Sequence, residues 1–166
     1  MPSFDLLTYD REAAVEYARR WAFGRNPAFY DFSNIGGDCT NFASQCIFAG
    51  AKIMNFTPTY GWFYRSASDR TASWTGVEYL YNFLVTSEGV GPFAKVVPLE
   101  ELEIGDVVQL GRQTGDFYHS PVVVGFSGRD ILVAAHSFDA YGRTLRSYRA
   151  PVTRGLHILG VRSPNT

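Results

Sequence analysis

The order of helical and extended patterns predicts an α+β fold, with N-terminal helices packed on a C-terminal antiparallel β-sheet or half-barrel. Apolar residues recur at helical spacing in segments before residue 86, whereas short apolar, β-branched runs follow Gly91-Pro92. An order in which helices come first and antiparallel strands follow is typical of the α+β class. The length of 166 residues fits one domain over residues 1–166, with enough chain to bury a core.

Three helices are predicted, over residues 9–23, 38–49 and 75–85. Asp10 is placed to cap the first helix with its side chain. The second helix is apolar around most of its circumference, so we expect it to be buried and to end at Gly50 as the left-handed C-terminal residue. The aromatic segment 55–76 has no clear period and is predicted to form a long surface loop.

Five strands are predicted, at residues 96–97, 106–110, 120–126, 131–135 and 156–161. The third and fourth are separated by a turn signal at residues 127–130. If Gly128-Arg129 is a two-residue hairpin loop, Ser127 pairs with Asp130.

Two cysteines lie seven residues apart in the second predicted helix. A rise of ~1.5 Å per residue separates the Cα atoms of Cys39 and Cys46 by roughly 10 Å, too far for a disulfide between them. We therefore expect free thiols, or thiols paired outside the chain. Cys39 follows Gly36-Gly37 at the helix N-terminus, where unpaired N–H groups and the helix dipole lower a thiol pKa and can stabilise an oxyanion. Cys39 is the candidate nucleophile, with a small buried side chain as the alternative reading, and Cys46 is predicted to be a core residue.

A thiol nucleophile needs a general base within hydrogen-bond reach, and the chain has three histidines. The predicted hairpin register places His119 opposite Phe138, with His136 on the same face and diagonal to His119. That geometry suits a base, His119, and a residue that orients it. A shift of one residue would bring Asp139 opposite His119 instead, so Asp139 is kept as the second candidate. His157 is predicted to be structural.

The composition argues against several classes of protein. A formal net charge of −1 creates no overall field that would attract nucleic acid or anionic lipid. No run approaches the ~18–20 apolar residues of a membrane span. The first residues lack the basic start and apolar run of a signal peptide, so we expect either a cytosolic protein or a domain of a longer exported chain. We expect no cofactor, and the oligomeric state is left open with a monomer assumed.

The run GGDCTNFASQC at residues 36–46, followed by Ala49-Gly50, resembles the signature of the putative amidase domain family. That family belongs to the papain-like group, which includes the CHAP and NlpC/P60 cell-wall hydrolases. Further segments resemble the family's opening helix and its later blocks, in the same order: residues 9–18, 105–109, 118–120 and 136–139. The chain has Ser137 where threonine is more often expected.

The resemblance implies a papain-like fold and acyl transfer to a thiol. Cys39 would attack an amide carbonyl, His119 would serve as base, and a polar residue on the next strand, for which we choose His136, would complete the triad. The backbone N–H of Cys39 is the expected oxyanion donor, with the Asn34 side chain as a further candidate. Asp38 would either cap the helix or bind a substrate amine. The implied substrate is a cell-wall peptide or a related amide.

Three other functions remain as alternatives. A metallohydrolase would use His119, His136 and either Cys39 or His157 on zinc, although no HExxH or CxxC spacing occurs. A non-catalytic module on the same fold would bind peptidoglycan or a partner, aided by the aromatic segment 56–74. An acyltransferase would use the same thiol and base on lipid acyl groups, but no apolar anchor is present.

Overall fold

The computed structural model describes residues 3–165 and confirms the α+β class. The helices are α1 (Arg11–Trp21), α2 (Cys39–Ala51), α3 (Ala72–Thr75) and α4 (Val77–Thr86). The strands are β1 (Phe4–Leu7), β2 (Tyr64–Ser66), β3 (Asp69–Arg70), β4 (Gly91–Val97), β5 (Val107–Gly111), β6 (Phe117–His119), β7 (Val122–Ser127), β8 (Asp130–Ala135), β9 (Ala140–Thr144) and β10 (Val152–Pro164). Short 3₁₀ turns occupy Leu99–Glu101 and Leu145–Tyr148.

An antiparallel sheet curls into a half-barrel in the order β1-β10-β5-β7-β8-β9. Strand β4 also pairs with β10, and β6 pairs with β5. The 13-residue strand β10 therefore pairs with β1, β4 and β5 along its length. Helices α1 and α2 pack on one another and on the sheet, and the main core lies between them and the strands.

The first two helices begin and end for identifiable reasons. The Asp10 carboxylate accepts a hydrogen bond from the Ala13 N–H at 3.0 Å, so its predicted role as N-cap is confirmed. The second helix is buried as expected, but it does not end at Gly50. Lys52 is the left-handed terminal residue, with φ 63°, and Gly50 lies inside the helix. A Cβ at Gly50 would lie 2.5 Å from the Tyr9 ring, so this glycine is required for close packing rather than for the helix end.

The prediction of a surface loop at residues 55–76 is wrong. The segment contains β2, β3 and α3, and Trp62 and Trp74 are fully buried with ring centroids 4.7 Å apart. Their indole N–H groups donate to side chains of α2, from Trp62 to the Ser44 hydroxyl and from Trp74 to the Asn41 side-chain amide oxygen. The segment is held by individual aromatic side chains and not by one regular face. Its sequence therefore shows no hydrophobic periodicity.

Candidate active site

Cys39 is the first residue of α2, as predicted, and its side chain is half-buried. The sulfur lies 4.0 Å from the Tyr118 carbonyl oxygen and 3.7 Å from the Thr40 hydroxyl oxygen. The two preceding glycines, Gly36 and Gly37, have φ of 83° and 101°, and a side chain at either would meet nothing within 4 Å. The space beside both glycines is therefore open, and their left-handed backbone favours residues without a side chain.

Asp38 precedes Cys39 and is 1% exposed. Its side chain makes no hydrogen bond that would cap α2. Instead it accepts from the Phe32 N–H at 2.8 Å, from the Asn41 side-chain amide at 2.9 Å, and pairs with His136 Nδ1 at 2.6 Å. The predicted side-chain cap is therefore absent. The contact with a substrate amine stays a prediction, for a carboxylate whose oxygens face inward and are occupied. The free N–H groups of the first helical turn, that of Cys39 among them, are consequently left uncapped by this residue.

The Cys39 thiol does not have the lowered pKa that its helix position predicts. Burial raises the pKa of Cys39, and the nearby Asp38 carboxylate also raises it. Hydrogen bonds from the Thr40 hydroxyl and from the backbone N–H groups of Ser120 and Thr40 lower it, but by less than burial raises it. The isolated chain therefore holds Cys39 as a neutral thiol at neutral pH.

His119 ends β6, a short strand in which it pairs with Leu110 of β5. The backbone on both sides of His119 contacts the Cys39 sulfur, through the Tyr118 carbonyl and the Ser120 N–H. Burial, and to a lesser extent the positive charge of Arg143, lower the pKa of His119 to about 4. The imidazole is thus neutral at pH 7 and able to accept a proton.

The predicted register between His119 and His136 is wrong. Ser127 does pair with Asp130, but a bulge between Val123 and Gly125 shifts the pairing by one residue further along the hairpin. Strand β7 begins only at Val122 and β8 ends at Ala135, so neither histidine lies in the paired part of this hairpin. The irregularity interrupts the constant register on which the prediction depended.

His136 is 1% exposed, and within residues 3–165 its hydrogen bonds do not reach His119. Nδ1 pairs with Asp38, while Nε2 lies 2.9 Å from the Trp21 carbonyl oxygen and 3.0 Å from the Arg25 guanidinium. The ring stacks on Phe42 with centroids 4.1 Å apart. These contacts tie the end of β8 to the start of α2.

The two remaining candidates, Asp139 and Asn34, are exposed residues. Asp139 accepts from the Arg25 guanidinium with both carboxylate oxygens, each at 3.0 Å. Asn34 is exposed in the loop before α2, and no side-chain hydrogen bond of the described residues involves it. Neither residue is hydrogen-bonded to His119 in the described part of the chain.

The structure adds three polar residues that the sequence analysis did not consider: Thr40, Ser120 and Gln109. All are 1% exposed or less, and they form a chain of hydrogen bonds leading to Cys39. Thr40 and Ser120 are direct neighbours of Cys39 and His119 in the sequence. Gln109 is a polar residue inside an apolar strand, and this pattern was the one signal in the sequence that pointed to the group.

The structure gives no grouping of three or more His, Cys, Asp or Glu side chains suited to holding a metal ion among residues 3–165. Within the same residues, no helix is both long and apolar enough to cross a membrane. His157, predicted to be structural, pairs with the buried Asp106 carboxylate at 2.7 Å.

A half-barrel sheet with a cysteine at a helix start and a histidine on the adjoining strand defines an amidase-like α+β protein. The chain belongs to the putative amidase domain family, which it matches over residues 8–159. The resemblance seen in the sequence is therefore confirmed, and membership indicates a hydrolase acting on C–N bonds.

A curated relative is the uncharacterized protein YhbB of Bacillus subtilis (strain 168), 36% identical over 136 residues. The alignment covers 80% of this chain but only 42% of that protein, so the chain spans less than half the length of this relative. No solved structure gave a significant match.

Proposed function

We propose that the chain is a cysteine-dependent amide hydrolase of the papain-like type, with Cys39 as nucleophile and His119 as general base. One observation carries the proposal: the Cys39 sulfur, at the start of α2, contacts the backbone on both sides of His119. Amidase family membership and the open space beside Gly36 and Gly37 support it.

The proposed reaction begins from neutral groups. Since the pKa of Cys39 is raised and that of His119 is lowered to about 4, the resting pair is a thiol and a neutral imidazole. His119 takes the thiol proton as the sulfur attacks the amide carbonyl, and then gives that proton to the leaving amine. The thioester is hydrolysed by a water whose proton His119 accepts, which regenerates the thiol.

The oxyanion of each tetrahedral intermediate would be stabilised by the backbone N–H of Cys39. This N–H belongs to the first turn of α2, and the Asp38 carboxylate, which would compete for such donors, is instead bound by Phe32, Asn41 and His136. His136 and Asp38 thus support the nucleophile by holding the start of α2. This role replaces that of an orienting partner for His119.

The proposed substrate is a peptide or related amide, with cell-wall peptides as the first class to test. This choice follows from the resemblance to the CHAP and NlpC/P60 hydrolases and not from a specific binding contact. The half-buried Cys39 follows the loop before α2, where residues 34–36 are exposed.

Digestion of purified peptidoglycan and of short synthetic peptides, followed by mass spectrometry of the products, tests the proposal. We expect Cys39→Ala to abolish release of new amino termini, with activity reduced by more than a thousandfold, because the nucleophile is lost. Cys46→Ala is the matched control: this thiol is fully buried two turns away and should leave most activity intact. Hydrolysis that persists in Cys39→Ala would contradict the proposal.

The raised pKa of Cys39 favours a second candidate, a binding module that uses the surface around Cys39 without catalysis. Such a module would sediment with peptidoglycan and release no product, and Cys39→Ala would bind as well as the unaltered chain.

A further inference from the structure

The side chains behind Cys39 form a continuous line of polar groups from the protein interior to the sulfur. The Cys39 sulfur lies 3.7 Å from Thr40 Oγ1, which lies 3.3 Å from Ser120 Oγ. Ser120 Oγ in turn lies 3.1 Å from Gln109 Nε2. Polar side chains buried this deeply stay only where their hydrogen bonds are satisfied, so the geometry of the line is well constrained.

The orientation of the Gln109 amide follows from two independent contacts. Its Nε2 lies 2.9 Å from the Val77 carbonyl oxygen, which can only accept, so the nitrogen must be on that side. Its Oε1 lies 2.8 Å from Arg154 Nε, which can only donate. The second hydrogen of Nε2 therefore points at Ser120 Oγ.

The orientation of the Gln109 amide constrains which hydroxyl can donate at each step towards the sulfur. Ser120 Oγ accepts from Gln109, so its own hydrogen is free to be donated to Thr40 Oγ1. If Ser120 donates to it, the Thr40 hydroxyl has its own hydrogen available for the Cys39 sulfur. The line starts at Arg154, whose guanidinium lies 3.6 Å from the centroid of the Tyr81 ring and 3.8 Å from that of Phe117. Arg154 is also paired with Glu78 at 2.8 Å, so it acts on the line as an obligate donor that fixes the Gln109 amide rather than as a free positive charge.

We propose that the Thr40 hydroxyl donates a hydrogen bond to the Cys39 thiolate, and that Ser120 and Gln109 are positioning residues that fix its direction. The proposal deepens the proposed function, on which its catalytic meaning rests. It offsets part of the effect of burial, which opposes ionisation of Cys39.

Other charged and titratable groups also act on Cys39 and must be separated from the line. Asp38, on the same helix start, disfavours the thiolate. His119 follows Tyr118, whose carbonyl contacts the sulfur, and the positive charge of Arg143 on β9 acts on His119. A test must therefore change the hydroxyl without changing any charge.

The test is the pH dependence of Cys39 alkylation by iodoacetamide, followed by mass spectrometry of the labelled peptide. Thr40→Val removes the hydroxyl at constant shape, and we expect the rate at neutral pH to fall about tenfold, since a hydrogen bond to a charged group is lost. The midpoint of the profile should move to higher pH. Thr40→Ser keeps the hydroxyl and should restore the profile.

Two further variants test the role of the orienting neighbour and the effect of deleting an unrelated buried hydroxyl. Ser120→Ala leaves the Thr40 hydroxyl in place but removes its orienting neighbour, so a shift in the same direction and smaller than that of Thr40→Val is expected. Thr71→Val is the matched control, because it deletes another buried hydroxyl, one bonded to Ser73 and the Phe63 carbonyl, away from Cys39. Its alkylation profile should be that of the unaltered chain.

The outcomes separate this proposal from the proposed function. Identical profiles for the unaltered chain, Thr40→Val and Ser120→Ala overturn the hydrogen-bond line, even if peptide hydrolysis depends on Cys39 and His119. A shifted profile in Thr40→Val, with Thr40→Ser restored, supports the line even if Cys39→Ala still hydrolyses substrate, in which case the proposed function fails alone.

Discussion

At the scale of single residues, the structure assigns opposite electrostatic effects to the two partners of the proposed reaction. Burial raises the pKa of the Cys39 thiol and lowers that of the His119 imidazole, because in each case the charged form is less well solvated. Both effects favour the neutral pair over a thiolate–imidazolium pair. The chemistry then depends on proton transfer within the complex with substrate.

The charge of Arg143 gives a prediction about the acidic side of the pH–rate profile. His119 must be neutral to act as base, so kcat/KM should fall as the pH drops through its pKa of about 4. Arg143 disfavours protonation of His119, so Arg143→Met should raise that pKa and move the fall in kcat/KM to higher pH. Arg146→Met, which removes an exposed guanidinium paired with Asp130, is the control and should leave the profile unchanged. A profile that does not move in Arg143→Met would show that Arg143 has no influence on the base.

At the scale of secondary-structure elements, the start of α2 and the end of β8 are joined by a buried polar pair. Asp38 and His136 are each 1% exposed and contact each other at 2.6 Å, and His136 also stacks on Phe42. The nucleophile follows Asp38 directly. The position of Cys39 therefore depends on a contact between residues 98 positions apart.

His136→Ala should accordingly act on stability. Loss of the ring removes one partner of the buried Asp38 carboxylate, which keeps its contacts with Phe32, Asn41 and Arg25, and it also removes the packing on Phe42. We expect the free energy of unfolding to fall by about 3 kcal/mol. Urea denaturation measures this effect. Phe138→Ala, in the same loop but 92% exposed, should change stability by less than about 0.5 kcal/mol. If His136→Ala unfolds normally but loses activity with a displaced pH profile, His136 orients the base, as the sequence analysis predicted.

At the scale of the whole molecule, Asp106 connects elements that are distant in the sequence. Its carboxylate is fully buried and accepts hydrogen bonds from Arg11 of α1, from the Ile158 N–H of β10 and from the Glu103 N–H, and it also contacts His157. One side chain therefore ties the first helix to the closing strand of the sheet.

Asp106→Ala should destabilise the entire fold without touching the proposed reacting groups. The Arg11 guanidinium and two backbone N–H groups would lose their acceptor, with an expected cost of about 3–5 kcal/mol. For a chain of this size that corresponds to a fall in melting temperature of roughly 10 °C. Asp116→Asn, at an exposed turn, should shift it by less than about 2 °C. A melting temperature unchanged in Asp106→Ala would contradict this role.

The sequence by itself determined the features that depend on near neighbours along the chain. The Asp10 cap, the buried character of α2, the Ser127–Asp130 turn and the position of Cys39 at a helix start all follow from spacings of a few residues. The family signature around Cys39 is likewise a local pattern, and the match over residues 8–159 confirms it.

Only the tertiary structure decided what depends on distant contacts. The bulge in β7, the inward turn of Asp38 towards His136 and the burial of Trp62 and Trp74 each depend on partners far along the chain. Burial also reversed the predicted direction of the Cys39 pKa, because the solvation of a thiol depends on everything packed around it. A pattern of local spacing predicts which residue begins a helix. The free energy of ionising that residue depends instead on the groups that pack around it in the folded protein.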